Sequence, residues 1–295
     1  MSAVGPVVEA PTEIEELRRT ATGYVETVTT CVGDVHRVVR TPGSLRADVL
    51  AAPPRALPVT STEVAWSLPD ADGGHVVPGP LSAAALLLGG VPGSAVLRMV
   101  APVGAALAHA ARLEAPARPA PSGLRRLRRW LSGAATPTAE SRRLRELLDE
   151  HGLRPDLRAW ADDLVGAPRA YSLGAPGLGA LYPHPDGART VVLVTDEVAS
   201  APPVWDLGWL LGELLELVND PDHAPAPRPV HEHPIAQAVL ERYAAVAPPP
   251  DPDALARAAL LRWVVHLHDF TAYVGWDDQL PRRVARIAEL ARMAP

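Results

Sequence analysis

The chain has 295 residues, a net charge of −6, 47% hydrophobic and 21% charged residues. That balance supports a packed core in one large or two small domains, excludes global disorder, and argues against a chain-wide nucleic-acid footprint. A single cysteine, Cys31, excludes an internal disulfide and a multi-cysteine zinc site, and all 28 Lys+Arg residues are arginine, which excludes any mechanism that needs lysine.

Periodicity gives the elements in chain order. Residues Thr12 to Val28 read as a helix, with Thr12 and Glu15 in capping-box spacing. Val28 to Val39 alternates enough for one or two short strands, and Val59 to Leu68 is a further strand. Asp70 to Gly74 is a turn. Helices follow over Ala95 to Leu113, Leu124 to Leu131, Glu140 to Glu150 and Pro155 to Val165. Leu178 to Tyr182 and Thr190 to Val194 flank the turn sequence Pro183-His184-Pro185-Asp186-Gly187 and predict a hairpin. The remaining helices are Trp205 to Val218, Ile235 to Val246, Ala254 to Trp276 and Leu280 to Met293, with a Pro-rich loop over Pro221 to Pro229. The layout is a β-containing N-terminal lobe over residues 1–95 and a helical C-terminal lobe over 96–295.

No basic, apolar leader opens the chain, and the most apolar stretch, Pro80 to Val100, is broken by Gly89, Gly90, Pro92 and Gly93. A membrane span needs about 20 uninterrupted apolar residues. The expectation is a soluble cytoplasmic protein with neither a membrane nor a nucleic-acid partner.

The stretch from Ser172 to Ala180, the hairpin after it, Thr195-Asp196-Glu197 and Trp205-Asp206-Leu207 resemble the C-lobe core of the aminoglycoside phosphotransferase and choline kinase-like family. That family reads His-Gly-Asp, four residues, Asn, a hairpin, Ile-Asp-Trp/Phe, then a helix opening with Trp-Asp-Leu. The resemblance implies a two-lobed protein kinase-like α+β fold with a reduced β N-lobe. With the family's Gly on Gly174, its His falls on Leu173, its catalytic Asp on Ala175, its metal-binding Asn on Ala180 and its metal-binding Asp on Thr195. The structural Asp falls on Asp206, eleven positions beyond Thr195, which matches the family spacing.

The departures carry the functional reading. In this family the Asp handles the acceptor hydroxyl, the Asn and second Asp hold Mg²⁺, and a strand lysine grips the phosphates. Phosphoryl transfer depends on positioning and charge neutralisation. Alanine offers a hard cation no oxygen, threonine only a neutral hydroxyl, and no lysine exists. The resemblance therefore implies a catalytically deficient homologue, a pseudokinase, with no catalytic residue and no cofactor. A kinase-like component of class V lanthipeptide or thioamitide pathways is similar in size and in its degenerate motif, which implies a partner enzyme or an acidic peptide as the ligand. The alternative is an atypical Mg-ATP phosphotransferase acting on a peptide Ser/Thr or small-molecule hydroxyl. It would use Asp196 or Glu197 as weak metal ligands, with Arg37 or Arg40 in place of the lysine.

Three other clusters stand out. Arg125, Arg126, Arg128 and Arg129 surround a Leu/Trp stripe and are the expected peptide or partner contact, against the competing reading of a solvated helix. His231-Glu232-His233-Pro234 lacks the spacing that puts two imidazoles on one helical face and reads as a polar helix entrance. His266 and Asp269 stand at i,i+3 and could meet. The glycine-rich runs Gly89 to Gly93 and Gly174 to Gly179 are not Walker loops, Cys31 has no activating partner in spacing, and no Gly-x-Ser-x-Gly elbow appears.

Overall fold

The computed structural model describes residues 14–46, 57, 61–134, 138–224 and 226–293. Strands β1 (Glu15–Ala21), β2 (Val25–Val32), β3 (Val35–Pro42) and β5 (Gly74–Val77) form an antiparallel sheet in the order β1-β2-β3-β5. Strands β2 and β3 are dense in Val and Thr, which suit a half-buried pleat. They join through Gly33-Asp34, where Gly33 takes φ 58° to make the two-residue turn.

The helix expected over 12–28 is not formed. Thr12 and Glu13 lie outside the described residues, and from Glu15 on the segment is β1, a turn and the start of β2. Glu15-Glu16-Leu17-Arg18-Arg19 are good helix formers, but β1 pairs with β2 from Glu15↔Cys31 to Ala21↔Glu26. Non-local pairing outweighs a propensity difference of a few tenths of a kcal/mol per residue. The turn depends on Gly23. A Cβ there would meet Leu45 Cδ1 at 2.7 Å and the Tyr273 carbonyl at 3.1 Å.

The expected hairpin forms from β7 (Leu181–Pro183) and β8 (Thr190–Leu193), after a single 3₁₀ turn at Leu178–Ala180. The strand expected in 59–68 is β4 (Val64–Ser67), and it pairs in parallel with β8. It thereby ties the N-terminal segment into the C-lobe hairpin. A further small pair, β6 (Ala170–Ser172) with β9 (Ala199–Ala201), brackets the loop that leads into the hairpin.

Nine α-helices lie among the described residues. The short α1 (Ala83–Leu88) was not anticipated and is capped by Ser82 Oγ, which accepts from the Ala85 amide. The others are α2 (Gly93–Ala110), α3 (Ser122–Leu131), α4 (Ala139–Glu150), α5 (Arg154–Gly166), α6 (Val204–Val218), α7 (Pro234–Ala244), α8 (Pro252–Tyr273) and α9 (Leu280–Met293). Helix α2 is long and apolar enough, by length and composition, to cross a membrane, yet 56% of that stretch is buried inside the fold. It lies so close to α7 that a Cβ on Gly104 would fall 2.0 Å from the Val239 carbonyl oxygen.

Helix α6 is the spine of the C-lobe, with Trp205, Leu207, Leu210, Leu211 and Leu214 buried. Gly208 and Gly212 let it approach α8 at backbone distance. A Cβ on Gly208 would stand 2.4 Å from Ala258 Cβ, and one on Gly212 would stand 2.6 Å from the Ala259 carbonyl. Overpacking a close-packed interior costs about 1–3 kcal/mol. Gly208→Val is therefore expected to lower stability by about 2 kcal/mol. Urea unfolding checks this, and an unchanged midpoint would contradict the close approach.

Candidate functional site

The cleft between the N-terminal sheet and the C-lobe holds two adjoining cavities. The first, about 370 Å³, is lined on the sheet side by Arg18, Thr20, Thr27, Thr29 and Arg40, and on the C-lobe side by Ala175, Gly177, Gly179, Ala180, Trp209 and Glu213. The second, about 280 Å³, continues from Ala175 and Trp209 to Tyr24, Ser122, Arg126, Glu197 and Asp269.

Asp206 fixes the loop along the floor of the cleft. It is buried at the start of α6 and accepts from Ser172 Oγ at 2.6 Å, Leu173 N at 2.7 Å and Gly174 N at 3.2 Å. Trp205 Nε1 donates to the Gly174 carbonyl at 2.8 Å. Gly174 has φ +84°, and a Cβ there would fall 1.9 Å from the Glu197 carbonyl oxygen, so two chain segments cross with room for a hydrogen only. The structural role expected of Asp206 is thus seen in the geometry.

The four positions that the resemblance aligns with the family's chemistry are placed in the core, on the cavity wall and in a local turn. Leu173 is buried in the core. Ala175 faces both cavities with a methyl group. Ala180 is 5% exposed and packs in a small apolar cluster with Val38, Val77, Tyr182 and Leu193, which joins sheet to hairpin. Thr195 Oγ accepts from the Glu197 amide at 3.3 Å, closing a local turn.

Asp196 and Glu197 are both engaged. Asp196 takes an ion pair from Arg46 at 2.9 Å. Glu197 accepts from the Tyr24 hydroxyl at 2.6 Å and from Ser122 Oγ, with Arg46 at 3.7 Å. The Tyr24 hydroxyl accepts from Arg126 at 2.6 Å, and Arg126 pairs with Asp269 at 2.7 Å. Both arginines also lie over the Tyr24 ring, Arg126 at 4.0 Å and Arg46 at 4.9 Å. Burial, reinforced by the Glu197 carboxylate, pushes the Tyr24 phenol up. Burial also works against the Asp269 carboxylate, but Arg126 and His268 outweigh it and hold that group below its usual value. Tyr24 sits on the β1–β2 turn, so this network clasps the N-lobe to the C-lobe.

The residue types present do not fit the Mg²⁺ that the fold implies. A divalent ion here would need oxygen ligands, and the aligned positions offer two methyl groups and one hydroxyl. Among the described residues no group of three or more His, Cys, Asp or Glu side chains could hold a metal ion.

The arginine helix α3 divides its charges differently from the surface patch expected. Arg126 is 8% exposed and points inward to Tyr24, Ser122 and Asp269, so it is not available to an external peptide. It points in because α3 buries Leu124, Leu127 and Leu131 together with that face. Arg128 is half-exposed and pairs with Asp162 at 2.5 Å, Arg125 donates to the Ala120 carbonyl at 3.0 Å, and Arg129 is exposed. His266 and Asp269 do not meet: His266 bonds Glu216 at 2.7 Å, while Asp269 holds Arg126 and His268. His233 caps α7 by accepting from the Ile235 amide, as a polar helix entrance should. Arg37 lies on the far face of the sheet, paired with Asp70 at 2.7 Å, whereas Arg40 faces the cleft. Sequence reading missed Tyr24, Ser122, Arg46, Glu213 and the threonine rows. The alternation Arg18-x-Thr20 and Thr27-x-Thr29 was the available signal.

No protein-family model matches this chain, and no curated protein matches its sequence. Solved structures do match in fold. A choline kinase from Streptococcus pneumoniae aligns at TM-score 0.56 with 11% identity, over 97% of this chain and 95% of the other. An aminoglycoside phosphotransferase of the APH(2″) type, solved with GDP and kanamycin, aligns at TM-score 0.54 with 13% identity, over 97% and 95%. A choline/ethanolamine kinase family protein from Mesorhizobium loti aligns at TM-score 0.50 with 15% identity, over 99% and 96%. The chain has the two-lobed protein kinase-like fold of choline kinases and aminoglycoside phosphotransferases. At these identities the likeness speaks for the fold.

Two predictions test the site's geometry. Tyr24→Phe removes one hydroxyl that serves Glu197 and Arg126, and orphaned buried partners cost about 1–3 kcal/mol. Stability should fall in that range, and amide exchange should quicken in β1 and β2 more than in α6; uniform acceleration would contradict an interlobe clasp. Asp206 gives a pH signature. Burial pushes its carboxyl up to about 6 from the ordinary 3.8, despite the hydrogen bonds from Ser172, Leu173 and Gly174. Between those values the folded chain holds the extra proton, so this group's contribution is full below about pH 4 and is lost as pH rises through about 6. At about 1.4 kcal/mol per pKa unit, the stability gap between wild type and Asp206→Ala should widen by about 2 kcal/mol from pH 7.5 to pH 4.5. Urea unfolding at the two pH values measures it.

Proposed function

We propose that this protein is a pseudokinase: a kinase-fold binding subunit that transfers no phosphoryl group and needs no Mg-ATP. One observation carries the reading. The positions aligned with the family's metal and acceptor groups are Ala175 and Ala180, which line the cleft, and Thr195, which closes a local turn, and the acidic pair that follows Thr195 is tied to Arg46, Tyr24 and Ser122. The competing reading, an atypical phosphotransferase with Asp196 or Glu197 on a metal, has to break those ion pairs first. Glu197 and Arg46 are buried, and a buried charge left without its partner is strongly destabilising.

The retained scaffold favours binding. Asp206, Trp205 and Gly174 hold the floor of an open cleft whose catalytic groups are replaced. The partner in this reading is an enzyme or an acidic peptide of a bacterial peptide natural-product modification pathway, acting in the cytoplasm. Arg125, Arg128 and Arg129 are the members of α3 that reach its outer side. Changing these three to Ser should weaken binding of an acidic precursor peptide at low salt and leave the fold intact; unchanged affinity would remove α3 from the contact.

Mg-ATP decides the main proposal. A nucleotide at a hundred times its dissociation constant would stabilise the fold by about 2.7 kcal/mol. The expected thermal shift with millimolar Mg-ATP or Mg-GTP is none, and a magnesium-dependent rise in the transition would overturn the reading.

A further inference from the structure

Register places an unusual set of side chains on the cleft face of the N-terminal sheet. Arg18 of β1 stands opposite Thr29 of β2, and Thr29 stands opposite Val38 of β3. Two residues along, Thr20 stands opposite Thr27, and Thr27 opposite Arg40. Directly opposed residues share a face, so two adjacent rows gather two guanidinium groups and three hydroxyls. All five line the 370 Å³ cavity. Strand spacings of about 4.8 Å and a rise of about 3.4 Å per residue put the two arginine Cα atoms roughly 12 Å apart, within reach of one small group from both sides.

These arginines differ from the others near the cleft. Arg37, Arg46 and Arg126 are spent on Asp70, Asp196 and Asp269. Arg18 and Arg40 make no hydrogen bond or ion pair with any described residue. Both sit close enough to the Tyr182 phenol to draw its titration down against the burial that pushes it up. The one carboxylate in the cavity, Glu213, lies across the floor against Gly177, where a Cβ would come 2.0 Å from Glu213 Oε2, with Arg262 at 3.8 Å. The sheet face is thus a cationic, hydroxyl-rich wall in a protein of net charge −6. Guanidinium pairs with hydroxyl donors recognise compact oxyanions through charge-assisted hydrogen bonds.

We propose that the cleft is a metal-independent oxyanion site, in which Arg18 and Arg40, with Thr20, Thr27 and Thr29, bind a small ligand through a phosphate or carboxylate group. This deepens the proposed function and rests on that reading: two guanidinium groups supply the charge neutralisation. Phosphate and carboxylate share the chemistry, and the source is an arm of the test.

The experiment is calorimetric titration of the whole protein in EDTA, with inorganic pyrophosphate as one probe and a tri-glutamate peptide as the other. The expected result is saturable binding of at least one probe, weakened about tenfold or more by Arg40→Gln and by Arg18→Gln and unchanged by Arg37→Gln. Neither cleft arginine side chain has a hydrogen-bond or ion-pair partner among the described residues, so the variants should keep the wild-type unfolding transition. Which probe binds assigns the ligand as phosphorylated or carboxylated. Binding of neither probe overturns the proposal, as does equal weakening by Arg37→Gln, which would signify general charge screening. Failure of both probes with no response to Mg-ATP sinks the oxyanion site alone. Pyrophosphate binding that magnesium strengthens sinks the pseudokinase reading together with it.

Discussion

The Asp206 carboxylate is the constraint on which the cleft depends. It is buried, it reaches 33 residues back along the chain, and it fixes two consecutive backbone amides, Leu173 and Gly174, together with the Ser172 hydroxyl. A buried ionised group is tolerable only when its lone pairs are filled, and here three donors fill them. Trp205 next to it in sequence holds the following carbonyl. The loop carrying Ala175 is therefore rigid for reasons unrelated to what Ala175 is. The anchors of this loop act through its backbone and are independent of the side chain at position 175.

The interface between the lobes is closed by side-chain contacts around one carboxylate. Glu197 receives Tyr24, Ser122 and Arg46. Ala180 contributes to the apolar cluster that seats the sheet on the hairpin. Both groups thus serve as contacts that hold the sheet to the C-lobe. Tyr24 is well suited to this, since its ring carries two guanidinium groups while its hydroxyl bridges the two lobes.

The C-lobe was legible because its signals are local. Trp205-Asp206-Leu207 opening an apolar run, the Pro-His-Pro-Asp-Gly turn, and the 3.6-residue stripes of α3, α4 and α8 each lie within one window of sequence. The N-terminal strand was not legible because its structure is decided elsewhere. Glu15 to Arg19 carries helix formers and becomes β1 only by pairing with β2, whose own partner β3 is needed to complete the sheet. The site was half legible. Substitution at Ala175, Ala180 and Thr195 could be read by alignment. That Arg126 turns inward, or that Asp196 and Glu197 are neutralised by Arg46, follows from contacts of more than a hundred residues' separation, except Ser122 with Glu197, which are 75 apart.

A lysine-free chain must do all its cationic work with guanidinium, and that shapes the fold. Arg262 reaches Glu213 and Glu216, with His266 completing the cluster, and Glu216 is held down to about 2: burial raises it, but the two cationic partners outweigh that cost. A planar fork can serve two or three acceptors at once, which an ammonium point charge does less well. Arg126 does the same for Tyr24, Ser122 and Asp269. Against these shared forks, the two arginines on the cleft wall have side chains that make no hydrogen bond or ion pair with any described residue. A fold that neutralises its interior guanidinium groups this thoroughly leaves Arg18 and Arg40 distinguished by chemistry as well as by position.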